Sequence, residues 1–537
     1  KFCYPLFAKI NEKKTTDKFF ISVMDESLLN DALEQKKLLG ITFGDIGKGQ
    51  APYVFKGGME VVGALLFHFS SLHASSSQFR NIKPLFEPDS IALDEVVIRD
   101  LELLETIRSR KKEGSLFHQI NYTLTPMGSR LLKKFITNPL CSREKIEGRQ
   151  RRVAQAIKSG KELIVELRSH LKNIGDIERL STRIAARNIR PNELSRVKDT
   201  LFHLSQVHKL IASQITLEYF YQNLKGYKIS LDLLRHSLLP NPDSLGKGDG
   251  VFVSGYDQEL DQHLELSKGG QEKVDDYQEK LRKETKINNL KIKKHKTYGL
   301  LIEVTKSNLM KVPESFVRKQ TMVNYERFVT TTLKDLEESL IGAQDLAIQR
   351  EQQLYQLLLE SLLGHVVSLQ DLAKNVAFFD LIISYAWLAL EQHYSLPEIH
   401  QQDRIELIKS RHPVVEAYVG THQFVANDIV LDSKAKQMII TGPNMAGKST
   451  VMRQTALCAI LCQIGSFVPA DKALLPVFDN IFTRIGASDD LSRGLSTFMV
   501  EMQESSHILR HTGEHSLVIL DEVGRGTSTE EGIAIAT

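Results

Sequence analysis

Residues 441–450 read TGPNMAGKST, and this stretch determines what kind of domain surrounds it. The glycine at its second position is followed by four residues and then by Gly-Lys-Ser at 447–449, which is the spacing of a phosphate-binding P-loop. Residues 437–440 (QMII) predict a short buried strand before the loop, and residues 451–464 predict an apolar helix after it. Because a strand, a glycine loop and a helix are the context that the motif requires, a chance match is the weaker interpretation.

Each part of this loop suits a nucleotide phosphate. Glycines allow the backbone to curl so that consecutive N–H groups point at one phosphate group, and the helix N-terminus adds a partial positive charge. Lys448 can reach the β- and γ-phosphates, and the Ser449 hydroxyl can bind Mg²⁺.

An apolar run at 517–520 (LVIL) is followed directly by Asp521 and Glu522, which is the form of a Walker B strand. Asp521, at the end of the strand, can hold Mg²⁺ directly or through water. Glu522 can orient and deprotonate an attacking water molecule. An apolar strand ending in two acids is weak evidence alone, but it becomes strong downstream of a P-loop.

Two further glycine-rich stretches lie near these motifs. Residues 489–499 predict a turn that opens a helix near Ser496, and a helix start is a second anion site. Since one P-loop already serves one nucleotide, this suggests a site shared between two copies of the chain, although a structural N-cap is the alternative. Residues 524–529 form another polar glycine loop that would suit an interface near the γ-phosphate.

Bulk composition limits the classes of protein. The chain has 537 residues, 42% of them apolar and 25% charged, which predicts several globular domains. Its formal charge of +3 means that any nucleic-acid surface must be local. Its four cysteines are few, which is typical of a reducing compartment, and no stretch predicts a membrane span or a signal peptide.

Cys458 and Cys462 lie four residues apart on the predicted helix after the P-loop. A two-ligand metal site is possible there, but buried thiols acting as small apolar groups are the more common outcome. The chain begins at Lys1 and stops at Thr537 within an apparent helix, so we interpret it as a fragment lacking both ends.

The pattern changes several times before the P-loop. Residues 1–69 predict a small α/β domain, and the stretch between residues 93 and 236 predicts helices only. One of these is expected over 94–107, and another begins after Thr125 as N-cap with Pro126 in its first turn. A polar helix is expected over 256–281 with an interruption at the glycines 269–270. Strands are predicted at 290–293 and 298–304, and a long helix with a heptad-like apolar stripe after Pro313. We therefore expect two long antiparallel helices carrying a small β-rich tip, with an ordinary coiled hairpin as the alternative.

Charge favours a functional tip. Residues 286–319 contain nine basic groups and two acids, Glu303 and Glu314. A basic module on a nearly neutral protein is what contact with a phosphate backbone requires, whereas a merely solvated charge run is the alternative. Nothing in this stretch predicts reading of specific bases.

Three stretches now resemble one family closely: residues 441–457, 481–502 (IFTRIGASDDLSRGLSTFMVEM) and 517–529 (LVILDEVGRGTST) are similar to the ATPase domain of the MutS family of DNA mismatch-recognition proteins. Upstream, RHPVVE at 411–416, the stretch 123–140 and DIERL at 176–180 also resemble this family. The similarity covers nearly the whole chain.

The resemblance implies a multidomain fold, α/β plus all-α, with long antiparallel helices. Its parts would be a partial RNase H-like connector at 1–80, a helical lever at 81–254, a β-rich clamp with a flanking helix at 255–318, the returning lever helix at 319–392, and an ABC-type P-loop ATPase domain at 393–537.

The resemblance also assigns roles. Catalysis would rest on Glu522, Lys448 and Asn444, and Mg²⁺ on Ser449 and Asp521. ATP would be bound by Phe424, which stacks on adenine, and by Gly442, Pro443, Asn444, Met445, Ala446, Gly447, Lys448, Ser449 and Thr450. Ser496 would reach the γ-phosphate of the partner subunit. Backbone contacts to DNA would come from Lys293, Lys294, Lys296, Lys306, Lys311 and Arg318.

The implied partners are double-stranded DNA with mismatches, a second copy of the chain and a MutL-type repair protein, in the cytoplasm of a bacterium near its nucleoid. The Phe-x-Glu wedge of the family's mismatch domain is not found in these residues, and Phe86-Glu87 does not complete it. A MutS relative that binds branched DNA in recombination is therefore the alternative function.

Overall fold

The computed structural model describes residues 89–246, 250–295, 298–400, 404–420, 422–443, 446–485, 497–522 and residue 530. The chain divides into two units, Lys1–Ser90 and Ile91–Thr537, and the description below concerns the second. The predicted connector at 1–80 lies outside the described residues. The fold is a mixture of helices and sheets, as the sequence predicts.

The first part of the second unit is a helical body. Its helices are α1 (Glu95–Asp100), α2 (Leu116–Ile120), α3 (Pro126–Thr137), α4 (Arg143–Lys158), α5 (Lys161–Leu171), α6 (Ile177–Ala185), α7 (Pro191–Ile211), α8 (Glu218–Asn223) and α9 (Lys228–Ser237). Thr125 caps α3 by accepting from the Gly128 N–H at 3.0 Å, with Pro126 in the first turn, as the sequence predicts. The helix predicted over 94–107 is shorter, because α1 ends at Asp100 and Glu102 adopts φ +49°.

Two long helices follow, α10 (Gln258–Thr285) and α11 (Thr331–Leu363). They run antiparallel, since Arg350 in α11 pairs with Asp257 at the start of α10 at 2.7 Å. At the other end, the Tyr277 hydroxyl lies 2.9 Å from Thr330 Oγ1. The predicted interruption at 269–270 is wrong: α10 continues through it, because packing against α11 offsets the low helix propensity of glycine.

Four antiparallel strands connect these helices: β1 (Lys291–His295), β2 (Gly299–Thr305), β3 (Val317–Thr321) and β4 (Tyr325–Val329), in the order β1-β2-β4-β3. The first two strands agree with the prediction. The long helix expected directly after Pro313 is wrong there, because β3 and β4 intervene and α11 begins only at Thr331. The predicted boundary after Arg318 consequently cuts through β3. Phe316 and Phe328 pack with side chains of β2 in the small core under this sheet. A helix over these residues would not place both side chains in that core.

Helix α12 (Val366–Gln392) returns through the helical body and packs on α3, α4 and α6. Its buried Asp380 accepts hydrogen bonds from the Thr125 N–H at 2.8 Å and the Thr125 hydroxyl at 2.7 Å. Burial raises the pKa of this carboxyl to about 6. Gly128 is required beside it, because a Cβ there would lie 2.3 Å from the carboxylate oxygen.

The last part of the chain is α/β. Its elements are β5 (Glu398–Ile399), β6 (Ile405–Ser410), α13 (Pro413–Val419), β7 (Asn427–Leu431), α14 (Lys448–Gln463), β8 (Lys472–Leu475), β9 (Asn480–Arg484), α15 (Thr497–His511) and β10 (Ser516–Leu520). One sheet has the order β5-β8-β6-β7, and β9 pairs with β10 in parallel. One apolar core continues from the helical body into α14. No helix among the described residues is long and apolar enough to cross a membrane.

The RHP motif at 411–413 joins α12 to this part. The Arg411 guanidinium donates to the carbonyls of Gln392 and His393 and pairs with Glu416 at 2.7 Å. His412 Nδ1 accepts from the Val415 N–H at 3.2 Å and caps α13. Burial, together with the nearby Arg453, lowers the pKa of His412 to about 4, so the ring is neutral at pH 7.

We predict that His412 makes the fold sensitive to acid. The unfolded chain binds a proton at this ring below its ordinary pKa of 6.5 and the folded chain does so only near 4, so stability is lost as pH falls through this window. In His412→Asn, the amide oxygen can keep the cap without titrating. The unfolding free energy of wild type should fall by about 2 kcal/mol more than that of the variant between pH 7 and pH 5. Parallel losses in both proteins, measured by chemical denaturation, would contradict this.

Candidate nucleotide site and basic sheet

Helix α14 begins at Lys448, directly after the glycine loop. Gly447 caps it in the left-handed region at φ +90°, a conformation that favours glycine. Gly442 and Pro443 lead into the loop, and Ala446 donates its N–H to the Pro443 carbonyl at 3.3 Å. The first-turn N–H groups of α14 therefore lie where the sequence predicts a phosphate group. Asn444 and Met445 lie outside the described residues.

The Lys448 ammonium lies over this loop. It donates to the Gly442 carbonyl at 2.6 Å and lies 3.4 Å from the Pro443 carbonyl. The positive charge and the helix N-terminus thus occupy the same small region, and both favour an anion.

Ser449, the second residue of α14, contacts Asp521, although the two are 72 residues apart in sequence. The Ser449 hydroxyl donates to Asp521 Oδ2 at 2.5 Å. Asp521 follows β10, and its N–H donates to the Arg484 carbonyl at the end of β9 at 2.8 Å. A hydroxyl and a carboxylate oxygen on fixed elements are hard ligands of the kind that Mg²⁺ prefers, with water and phosphate completing its shell. These two residues therefore fit the predicted metal site.

Glu522 lies next to this pair with an exposed side chain and a left-handed backbone, φ +54°. Few non-glycine residues adopt such a φ, and those that do are often found at functional sites. The chain turns sharply here, directly after the end of β10.

The strand predicted at 437–440 is wrong. The structure has irregular backbone there, and Ile439 is 89% exposed. A strand needs a hydrogen-bonding neighbour, and within the described residues β10 pairs only with β9. A cavity of about 660 Å³ separates residues 436–440 from β10, and apolar side chains such as Val451 and Phe478 line it.

Other predicted nucleotide ligands are less closely tied to this site. Phe424 is half-buried between α13 and β7, and its N–H donates to the Gly420 carbonyl at 3.2 Å. Thr450 lies in the first turn of α14 and is half-buried. Ser496 and the loop at 524–529 lie outside the described residues.

The basic sheet, which here means β1 to β4 together with the 3-10 helix Lys306–Lys311 after β2, carries those predicted DNA-contacting side chains that lie in the described residues. Lys294, Lys306 and Lys311 are exposed, and Lys296 lies outside the described residues. Two others are ion-paired: Lys293 lies 3.1 Å from Glu303, and Arg318 lies 2.7 Å from Glu326.

Sequence reasoning missed Arg327, because it lies in β4, where a helix was expected. Its guanidinium donates to Glu303 at 2.9 Å and to Gln320 at 2.8 Å. Burial alone would raise the pKa of Glu303, but hydrogen bonds from Lys293 and Arg327 outweigh it and lower that pKa below its usual range. Because the two cations Lys293 and Arg327 surround the single carboxylate of Glu303, this part of the sheet carries a local excess of positive charge.

Comparison with known proteins settles the family. A family model described as MutS domain III matches residues 97–386, more than half of the chain, and one described as MutS domain V matches residues 438–537. The chain belongs to the MutS family. The resemblance predicted from the residues is therefore confirmed.

Relatives named "DNA mismatch repair protein MutS" match over long stretches. The protein of Caldanaerobacter subterraneus subsp. tengcongensis is 40% identical over 88% of this chain and 55% of its own length. That of Clostridium novyi is 42% identical over 83% and 50%, and that of Clostridioides difficile is 37% identical over 98% and 55%. The chain spans about half the length of the curated relatives it matches.

The two α14 cysteines of this MutS-family chain are fully buried, and burial raises the pKa of each thiol to about 12. Gln150 Nε2 approaches Cys462 Sγ at 3.6 Å, and apolar side chains surround the pair in the common core. Within the described ranges, no group of three or more His, Cys, Asp or Glu side chains is arranged to hold a metal ion. Both side chains lie in the apolar core, as expected of thiols that act as small apolar groups.

We predict that Cys458 and Cys462 resist thiol reagents. In the variant Cys3→Ser/Cys141→Ser, only these two thiols remain. At pH 8 their thiolate fraction should be roughly a thousandfold below that of an ordinary thiol, and access is blocked as well. Ellman's reagent should therefore leave the native variant unmodified and react fully after denaturation. Rapid native reaction, or stoichiometric Zn²⁺ binding that Cys458→Ala abolishes, would show that the thiols are accessible ligands.

Proposed function

We propose that this chain is part of an ATP-dependent protein that binds mismatched DNA and initiates DNA mismatch repair, acting as a nucleotide-switched clamp. The observation that carries this proposal is the hydrogen bond between Ser449 and Asp521 beside Lys448, in a chain of the MutS family. The names of the relatives favour mismatch repair over the alternative of a branched-DNA binding protein in recombination.

The architecture supports separate roles for different parts of the chain. Residues 393–537 would be the ABC-type ATPase domain, the helical body with α11 and α12 the lever, and the sheet β1 to β4 the clamp. Residues 1–80 would belong to the RNase H-like connector. Helix α11, with 33 residues, spans roughly 50 Å, so the basic sheet stands far from the point where α11 ends.

The chemistry follows from the groups at the start of α14. Mg²⁺ would supply charge neutralisation at the β- and γ-phosphates of ATP. Ser449 and Asp521 would hold it, and Lys448 would turn from the loop carbonyls to the phosphate oxygens. The backbone N–H groups of Gly442 and of residues 444–450 would bind the phosphates, since Pro443 has no N–H to donate. Glu522 would take the proton from the attacking water molecule as the general base.

Other assignments rest on the family. Pro443, Asn444, Met445 and Ala446 would line the phosphate loop, with Asn444 near the attacking water. Phe424 would stack on the adenine ring. Ser496 would reach the γ-phosphate bound by a second copy, so that ATP draws two ATPase domains into a homodimer.

The basic sheet would hold the DNA backbone. Lys294, Lys306 and Lys311 are exposed in the structure, which suits direct phosphate contacts. Lys293 and Arg318 are exposed, but each is ion-paired with a buried carboxylate, Glu303 or Glu326, so a phosphate contact would add to these pairs and not replace them. Lys296 would contribute in the same way. Closure of the ATPase dimer would move the levers and so change how tightly this sheet binds DNA.

The partners we propose are mismatched double-stranded DNA, a second copy of the chain and a MutL-type protein that recognises the ATP-bound state. The proposed location is the bacterial cytoplasm, in association with the nucleoid.

We predict that Lys448→Ala weakens Mg-ATP binding about 10- to 150-fold, because a charge-assisted contact of about 1.5–3 kcal/mol is lost. DNA binding without nucleotide should persist, and ATP should no longer release the protein from DNA. Lys472→Ala is a matched control, since Lys472 is an exposed lysine of the same region paired with Glu406. Fluorescent-nucleotide titration measures the effect, and unchanged ATP binding in Lys448→Ala would remove the P-loop assignment.

A second prediction concerns the sheet. Replacing Lys294, Lys306 and Lys311 together by alanine should weaken DNA binding about equally on matched and mismatched duplexes. The slope of log K against log salt should decrease by up to about 3, one unit for each lost phosphate contact. The control replaces three exposed lysines of the helical body, Lys133, Lys172 and Lys209. A loss confined to mismatched DNA, or an equal loss in the control, would argue against a backbone-binding sheet.

A further inference from the structure

The end of β9 is held from two sides. Asp100, the last residue of α1, is 2% exposed, and its Oδ2 accepts from the Thr483 hydroxyl at 3.2 Å and from the Ile485 N–H at 3.4 Å. Between these two residues lies Arg484, whose carbonyl accepts the Asp521 N–H at 2.8 Å. The helical body and the proposed Mg²⁺ ligand therefore both contact residues 483–485, where β9 ends.

Charged side chains link this junction to α15, and of these Asp100 and Arg484 are buried whereas Arg99 is exposed. The other oxygen of Asp100 accepts from Arg99 Nε at 3.0 Å, and the Arg99 guanidinium lies 3.7 Å from Glu504 in α15. Glu504 in turn lies 3.1 Å from Arg484 Nε. Because Asp100 and Arg484 are buried, each depends on its charged partners, so a shift of one side chain affects the others.

The helix that carries Ser449 is anchored at its other end. Gln463, the last residue of α14, donates to the Leu140 carbonyl of the helical body at 2.7 Å and to the Phe478 carbonyl at 3.0 Å. Phe478 lies just before β9. The Arg149 guanidinium adds a bond to the Ile464 carbonyl at 3.3 Å. Ser449 is thus connected to the helical body through α14, and Asp521 through the end of β9.

We infer that Asp100 is a positioning residue, which sets the place of Asp521 relative to Ser449 and makes the helical body sensitive to bound Mg-nucleotide. This inference rests on the proposed function and deepens it. A packing role alone would not need a buried carboxylate, because an apolar side chain of similar volume fills such a space at lower desolvation cost. The carboxylate adds direction, since its two acceptor bonds fix the residues on both sides of Arg484.

The test uses pairs of variants of the whole protein. Asp100→Asn removes the charge, and Thr483→Val removes the hydroxyl that Asp100 accepts from, whereas Thr483→Ser keeps it. Asp94→Asn is the matched control: Asp94 precedes the same helix, is half exposed and lies 3.8 Å from His507 of α15, and within the described residues its carboxylate accepts no hydrogen bond from β9. The affinity for a fluorescent ATP analogue is measured over a Mg²⁺ series and in EDTA.

Asp100→Asn and Thr483→Val should raise the half-saturating Mg²⁺ concentration about tenfold, as expected for partners that orient a metal ligand. Nucleotide affinity in EDTA should stay unchanged, and Thr483→Ser and Asp94→Asn should behave like wild type. An unchanged Mg²⁺ dependence in Thr483→Val overturns the inference, as does an equal loss of affinity with and without Mg²⁺. If Asp100→Asn fails to fold in a thermal melt, the Val and Ser variants at 483 decide. A wild-type protein that binds no Mg-nucleotide overturns the proposed function itself.

Discussion

The contact between the Ser449 hydroxyl and the Asp521 carboxylate is the interaction on which the remaining structure depends. It joins the first turn of α14 to the end of β10, two elements that the chain separates by 72 residues. A carboxylate and a hydroxyl held in this way are arranged for a hard cation, and the adjacent Lys448 and helix N-terminus are arranged for an anion. The same few atoms can therefore hold both halves of a metal–triphosphate.

This contact is maintained from outside the nucleotide-bearing part of the chain. Gln463 attaches the far end of α14 to the helical body, and Asp100 attaches the end of β9 to it. From the helical body, α10 and α11 extend to the basic sheet. A continuous series of packed elements thus runs from the proposed metal-binding pair to the surface that we assign to DNA.

Local patterns in the sequence predict much of this structure. The P-loop spacing, the Thr125-Pro126 helix start and the pair of strands predicted at 290–293 and 298–304 each depend on neighbouring residues, and the structure contains a glycine loop before α14, a capped α3 and the strands β1 and β2. The heptad-like stripe of α11 predicts a long partner helix, and α10 is that partner. Such signals are local, so they can be read from the sequence without a fold.

The wrong predictions concern segments whose structure depends on contacts between residues far apart in the sequence. Residues 437–440 are apolar enough for a strand, but a strand requires a pairing neighbour that the sequence does not identify. β3 and β4 are short and follow a proline, and only the pairing of β4 with β2 and of β3 with β4 makes them strands. The contact of Asp100 with Thr483 spans 383 residues, and no local pattern marks either residue. Arg327 and Lys293 both contact the Glu303 carboxylate because the register of the strands brings them there, and no local pattern predicts that register.

The most direct measurement is a crystal structure of the protein with a non-hydrolysable ATP analogue and Mn²⁺, located by anomalous scattering in place of Mg²⁺. The account predicts one metal ion bonded to Ser449 Oγ at about 2.1–2.2 Å, with Asp521 bound to it directly or through one water molecule. Lys448 should contact the phosphates. A nucleotide bound elsewhere, or a metal ion that neither Ser449 nor Asp521 approaches, would contradict it.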